Sequence, residues 1–130
     1  MDRRSFVKNA SVVAAAGAVA VPHADEKLTF VHHVFFWLKN PKNKAEHDQL
    51  LNALKSLGKL SVIKHAHIGK PVVTEFDKAV TDGTYSFSVM LVFASAKDEQ
   101  TYLVHPEHKA FIDKNKHLWS KVVVYDSQLI

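Results

Sequence analysis

Three features of this sequence predict an α+β domain with the order β-α-β-β-α-β. Residues 28–38 and 85–93 place large apolar side chains at every second position, the period of a strand. Residues 45–60 repeat leucines at helical spacing. A second helical region then precedes a last β-branched run at residues 121–129, so two strand–helix–strand units follow one another. A length of 130 residues holds one domain, and 47% hydrophobic with 23% charged residues is a globular composition.

The first strand, Leu28 to Leu38, divides into two faces. Phe30, His32, Val34, Phe36 and Leu38 point one way, and Val31, His33, Phe35 and Trp37 the other. Both sets are largely apolar, so this strand is expected to be covered on both sides. Asn40-Pro41-Lys42-Asn43 is a turn. The helix Ala45 to Leu60 carries Leu50, Leu51, Leu54 and Leu57 on one stripe, with Gly58 placed for a left-handed C-cap.

Val62 to Ile68 reads as the second strand, and the mixed polar run from Val72 to Gly83 as a loop. Tyr85, Phe87, Val89, Leu91 and Phe93 form one face of the third strand. Ser95 is an N-cap for a helix reaching about Val104, with Glu99 in its first turn. Pro106 interrupts that helix, Glu107 to Ser120 continue helically, and Lys121 to Leu129 form the last strand. This order is the ferredoxin-like one, a four-stranded antiparallel sheet with helices on one face. Apolar side chains on the other face would be costly in water, at ~25 cal/mol per Å². A homodimer pairing two such faces into an α+β barrel is therefore expected.

The N-terminal segment has a different character. Asp2-Arg3-Arg4-Ser5-Phe6-Val7-Lys8 precedes a weakly apolar, alanine-rich stretch from Ala10 to Val21. That stretch is too short for a membrane span, which needs ~20 apolar residues. The charged-then-apolar order is that of a signal peptide, and the paired arginines resemble the twin-arginine export motif. Residues 1–24 are thus expected to be a removable signal, residues 25–130 the working domain, and the location periplasmic or secreted. Cleavage fits after Ala20 or after Ala24.

Loss of that segment removes Arg3, Arg4 and Lys8 from 17 basic residues and Asp2 from 13 acidic ones, leaving 14 against 12. The remaining lysines are scattered, which gives no footing for nucleic-acid binding, and no membrane association is expected once the signal is gone. Cysteine is absent from the sequence, which excludes disulfides, a thiol nucleophile and a lipidated cysteine.

Several segments resemble one known family. His32-His33-Val34-Phe35-Phe36-Trp37-Leu38-Lys39 is similar to the opening H-x-V-x-F-x-L-K strand of the stress-responsive A/B barrel, or Dabb, domains. Tyr102 to His108 resembles their Y-x-x-H-P-x-H segment, and Asp126 after Val122-Val123-Val124-Tyr125 matches their closing V-x-D strand. The resemblance spans about residues 28 to 130 and implies a dimeric α+β barrel. One branch, similar to olivetolic acid cyclase, closes a linear polyketide without a cofactor. By that likeness Tyr102 and His108 are the catalytic candidates, and His32, Val34, Phe36, Phe87 and His105 the substrate-binding ones. Phe87 stands where that branch has a further pocket histidine.

The chemistry suits those residue types. An aldol closure needs a base beside a carbonyl and a donor for the enolate, and histidine and tyrosine fill those roles near neutral pH. Pro106 lets the chain turn so that both side chains reach one cavity. The same segment serves equally well as a helix-linking turn whose histidines satisfy backbone groups. Separately, His65 and His67 share one strand face as a two-ligand pair for zinc or copper, with further histidines at 32, 33, 105 and 108, but no acidic residue is placed by sequence to complete a metal site. Three functions stay open: a dimer binding a small molecule in its barrel cavity, a cofactor-independent cyclase or lyase acting on a carbonyl substrate, and a histidine-rich metal module. No cofactor is expected.

Overall fold

The computed structural model describes residues 28–130. The expected signal at residues 1–24 lies outside the described residues. Four strands form one antiparallel sheet: β1 (Phe30–Leu38), β2 (His65–Gly69), β3 (Phe87–Phe93) and β4 (Trp119–Gln128). Their order across the sheet is β2-β3-β1-β4. Three helices, α1 (Lys44–Leu57), α2 (Ala96–Leu103) and α3 (Pro106–Asn115), complete the ferredoxin-like α+β fold expected from the element order.

Alternation decides which face of β1 is core. Phe30, His32, Val34, Phe36 and Leu38 are buried, while the residues between them are half-buried. Phe30 pairs with Phe93 and Phe36 with Phe87 across β3, so two aromatic-rich rows lie side by side. Leu50, Leu54 and Leu57 of α1 close over these rows, joined by Phe111 of α3 and by Leu118. Helix α1 begins at Asn43, whose side chain accepts a hydrogen bond from the Glu46 N–H at 3.1 Å. Helix α2 begins in the same way, with Ser95 Oγ accepting from the Asp98 N–H at 3.1 Å.

Some boundaries differ from expectation. Gly58 is right-handed (φ −66°), so α1 does not end on a left-handed cap; the Gly58 N–H still donates to the Leu54 carbonyl at 2.9 Å. The second strand starts at His65 rather than Val62, because Leu60 and Ile63 are tied in a turn by the Ile63 N–H to the Leu60 carbonyl. The third helix stops at Asn115 rather than Ser120, and a 3₁₀ turn over Lys116–Leu118 leads into β4 at Trp119. Two contacts account for this early stop. The Asn115 side-chain amide donates to the Phe111 carbonyl at 2.9 Å, and the Trp119 ring stacks on Phe111 at 5.8 Å. Pro106 opens α3 in its first turn, where the missing N–H costs nothing.

No described helix lies over the opposite sheet face. It displays Phe35 against Tyr85 and Tyr125, with ring centroids 5.0 and 6.0 Å apart, and Lys121 Nζ 4.6 Å from the Trp37 ring. Tyr125 is 65% exposed there. The loop between β2 and β3 adds exposed Val72, Val73, Phe76 and Val80. Among the described residues, no helix is long and apolar enough to cross a membrane.

Candidate functional site

Between the sheet and its helices lies a cavity of about 200 Å³. Its floor is His32, Val34 and Phe36 of β1 with Val122 and Val124 of β4. These five share a face because Val34 pairs with Val124 and Phe36 with Val122 in the antiparallel register. Leu54 and Leu57 of α1, Tyr102 of α2, and His108 and Phe111 of α3 form the roof. Val122 and Val124 are 43% and 46% exposed, so the rim lies along the β4 edge. The lining is mainly apolar, with His32, Tyr102 and His108 and the Trp119 indole as its polar side chains.

Tyr102 stands between the two histidines. Its ring centroid is 5.9 Å from His32 and 4.7 Å from His108, edge-on to both. Tyr102 is 3% exposed, and burial together with the Glu99 charge raises its hydroxyl pKa far above the ordinary tyrosine value. The tyrosine is a neutral donor at every physiological pH. Burial, aided by nearby His32, pushes His108 below the ordinary histidine value, which keeps its imidazole neutral. A protonated donor and an unprotonated acceptor therefore border one small apolar space.

His32 is braced from behind. Its Nδ1 lies 2.7 Å from Asp126 Oδ1 and 3.1 Å from Glu99 Oε2. Asp126 reaches it because residues 32 and 126 are register partners across β1 and β4. Glu99 reaches it from α2, one turn ahead of Tyr102 on the same helical face. The nitrogen can offer one hydrogen, and the shorter contact to Asp126 takes it. Glu99 Oε2 is buried and accepts no hydrogen bond. Burial, then the neighbouring Asp126 carboxylate, pushes the Glu99 pKa up, while His32 opposes the shift. Among the described residues, these three are the set of ionisable groups placed to hold a metal ion, their ligand atoms all lying within 4.8 Å of one another.

The cavity brings together His32, Val34, Phe36, Tyr102 and His108, but two candidates stand outside its lining. Phe87 is core: its ring packs 4.8 Å from His47, beneath α1. His105 is the N-cap of α3, its Nδ1 accepting the Glu107 N–H at 3.0 Å. Both placements follow from local geometry, packing beneath α1 for Phe87 and a helix start for His105. His65 and His67 are exposed on β2 and belong to no three-ligand group among the described residues. In the sequence Glu99 stands only as a first-turn acid, and Asp126 only as part of a closing-strand motif. The available signal for Glu99 was its position three residues before Tyr102, on the face that meets the sheet.

Fold and cavity together define a ferredoxin-like α+β protein with a pocket between its sheet and helices. The chain belongs to the stress responsive A/B barrel (Dabb) domain family, whose model matches residues 30–129. Solved structures share the fold. A Dabb family protein with a ferredoxin-like fold from Mesorhizobium loti is 23% identical with a TM-score of 0.65, over 78% of this chain and 97% of that one. A dimeric ferredoxin-like protein of unknown function from Thermobifida fusca is 19% identical with a TM-score of 0.62, over 77% and 90%. The hydroxynitrile lyase from Passiflora edulis is 19% identical with a TM-score of 0.64, over 80% and 96%. No curated protein matches the sequence.

Proposed function

We propose that this protein binds a small, largely apolar carbonyl compound in the cavity, with Tyr102 and His108 at the oxygen-bearing end. The observation that carries this reading is the pairing of a buried neutral phenol with a half-buried imidazole whose rings are 4.7 Å apart, on an otherwise apolar lining. A carbonyl oxygen satisfies the Tyr102 hydroxyl, and the hydrocarbon remainder fits among Val34, Leu54, Phe111 and Val124.

A catalytic form of the same reading is favoured by the two opposed protonation states. Tyr102 donates a hydrogen bond to the carbonyl oxygen, which lowers the cost of negative charge there. Neutral His108 accepts the proton from the adjacent carbon, and the electron pair of the broken C–H bond moves into the enolate. Return of that proton to carbon restores the starting state. Alternatively, the enolate carbon attacks a second carbonyl of the same molecule: the new C–C bond forms, that carbonyl's π bond breaks, and its oxygen takes the proton from His108, which closes the aldol product and restores the neutral imidazole. His32, held by Asp126, sits across the Tyr102 ring and fixes that ring's position.

The test is exchange in D₂O with a small ketone, followed by proton NMR. Loss of the α-proton signal is expected to be faster with the protein than with buffer. Tyr102→Phe and His108→Asn should each slow it by about 10²-fold or more. Wild-type rates equal to buffer would remove the catalytic form, and saturable binding without exchange would leave only the binding form.

Assembly and location are part of the proposal. The uncovered aromatic face around Phe35 and Tyr125, and the dimeric protein of the same fold from Thermobifida fusca, support a homodimer. The paired arginines at residues 3 and 4, followed by an alanine-rich stretch, support export with loss of about residues 1–24. Sequencing the N-terminus of protein recovered from outside the cytoplasm tests the latter.

A further inference from the structure

We propose that His32, Glu99 and Asp126 form a binding site for a first-row divalent metal ion beside the cavity, which His32 also lines. Three elements converge there: β1 supplies the imidazole, α2 one carboxylate and β4 the other. Metal–ligand bonds of ~2.0–2.2 Å set adjacent ligand atoms about 3 Å apart. The Nδ1 to Oδ1 and Nδ1 to Oε2 distances, 2.7 and 3.1 Å, match that spacing.

The hydrogen-bond pattern gives an independent reason. One imidazole nitrogen faces two carboxylates and holds a single hydrogen, so one carboxylate must go without. That one is Glu99: its side chain is 8% exposed, and Oε2 is buried, aimed at the cluster and without a hydrogen-bond partner. Buried carboxyl groups are otherwise found protonated, paired or on a metal. A divalent cation accepts lone pairs from all three groups at once and offsets both negative charges. A mixed nitrogen and oxygen donor set suits Zn²⁺, Mn²⁺ or Co²⁺ better than a soft ion such as Cu⁺. Asp126 is 43% exposed at its side chain, which provides a route of entry. Three protein ligands also leave coordination positions open for water or a ligand oxygen.

This site does not depend on the carbonyl reading, which rests on Tyr102 and His108. The test uses the full chain after EDTA treatment and dialysis, titrated with Co²⁺ and followed by its visible absorption and by calorimetry. One ion per chain is expected, with affinity reduced at least about tenfold in Glu99→Gln and in Asp126→Asn. A His65→Ala/His67→Ala double variant should bind as wild type does. If the Glu99 or Asp126 variant does not fold, Mn²⁺ added to the wild-type chain should still broaden the His32 and Tyr102 NMR signals selectively. Absence of binding would overturn the proposal. Loss of binding in the His65/His67 variant, or broadening confined to β2, would do so equally.

Discussion

Replacing Glu99 by leucine should make the metal-free protein more stable. The side chain is 92% removed from solvent, one oxygen has no hydrogen-bond partner, and a second carboxylate lies close by. Leaving a buried polar atom unsatisfied costs about 1–3 kcal/mol, and apolar residues of similar volume often replace buried ionic groups at no loss. Leucine keeps the packing against β1 and leaves the His32–Asp126 contact at 2.7 Å intact. The expected gain at pH 7 in EDTA is therefore about 1–3 kcal/mol. Each kcal/mol moves the melting temperature of a domain this size by about 4–8 °C.

The sign of the pH effect follows from the raised Glu99 pKa. A group whose folded pKa lies above its unfolded value supports the fold below the unfolded value, ~4.3, and loses that support as pH rises through the folded one. The gap between Glu99→Leu and wild type should therefore be small near pH 4 and widen toward neutrality. Thermal and urea unfolding, followed by circular dichroism across that range, measures it. A variant less stable than wild type at pH 7, or a gap that ignores pH, would refute the reasoning.

Other predictions are simpler. Leu54→Ala, at a position 2% exposed between α1 and the cavity, should cost about 2–5 kcal/mol in urea unfolding. The lowered His108 pKa means that its support for the fold is complete above the unfolded histidine value of ~6.5 and is lost as pH falls through the folded one. An NMR titration of the His108 ring should accordingly show a midpoint below that value; a midpoint above it contradicts the burial argument. Phe35→Glu on the uncovered sheet face should yield a folded monomer by light scattering, where wild type is expected to run as the proposed dimer.

The sequence carried the frame of the fold in its periodicities. Phe30 to Leu38 alternates so regularly that its two faces could be sorted from residue types, but both are apolar and only the docking of the helices shows which one they cover; the leucines at 50, 54 and 57 marked the helix surface that meets it. The end of α3 was not legible, because Trp119 continues an apolar pattern until its stacking on Phe111 is known. His32, Val34 and Phe36 became candidates through the family resemblance, and their shared strand face lines the cavity. Phe87 shares that face, yet β3 carries it beneath α1 and away from the cavity. Glu99 was hidden for another reason. A short helix with an acid in its first turn looks solvated, and only the docking of α2 on β1 turns that acid inward.

The cavity itself can be tested directly by titrating isotope-labelled protein with acetophenone, a small apolar ketone, and following side-chain NMR signals. Saturable shifts are expected at Val34, Tyr102, His108 and Val124, weakened by Tyr102→Phe. Shifts confined to Phe35 and Tyr125 on the opposite sheet face, or none that saturate, would contradict it.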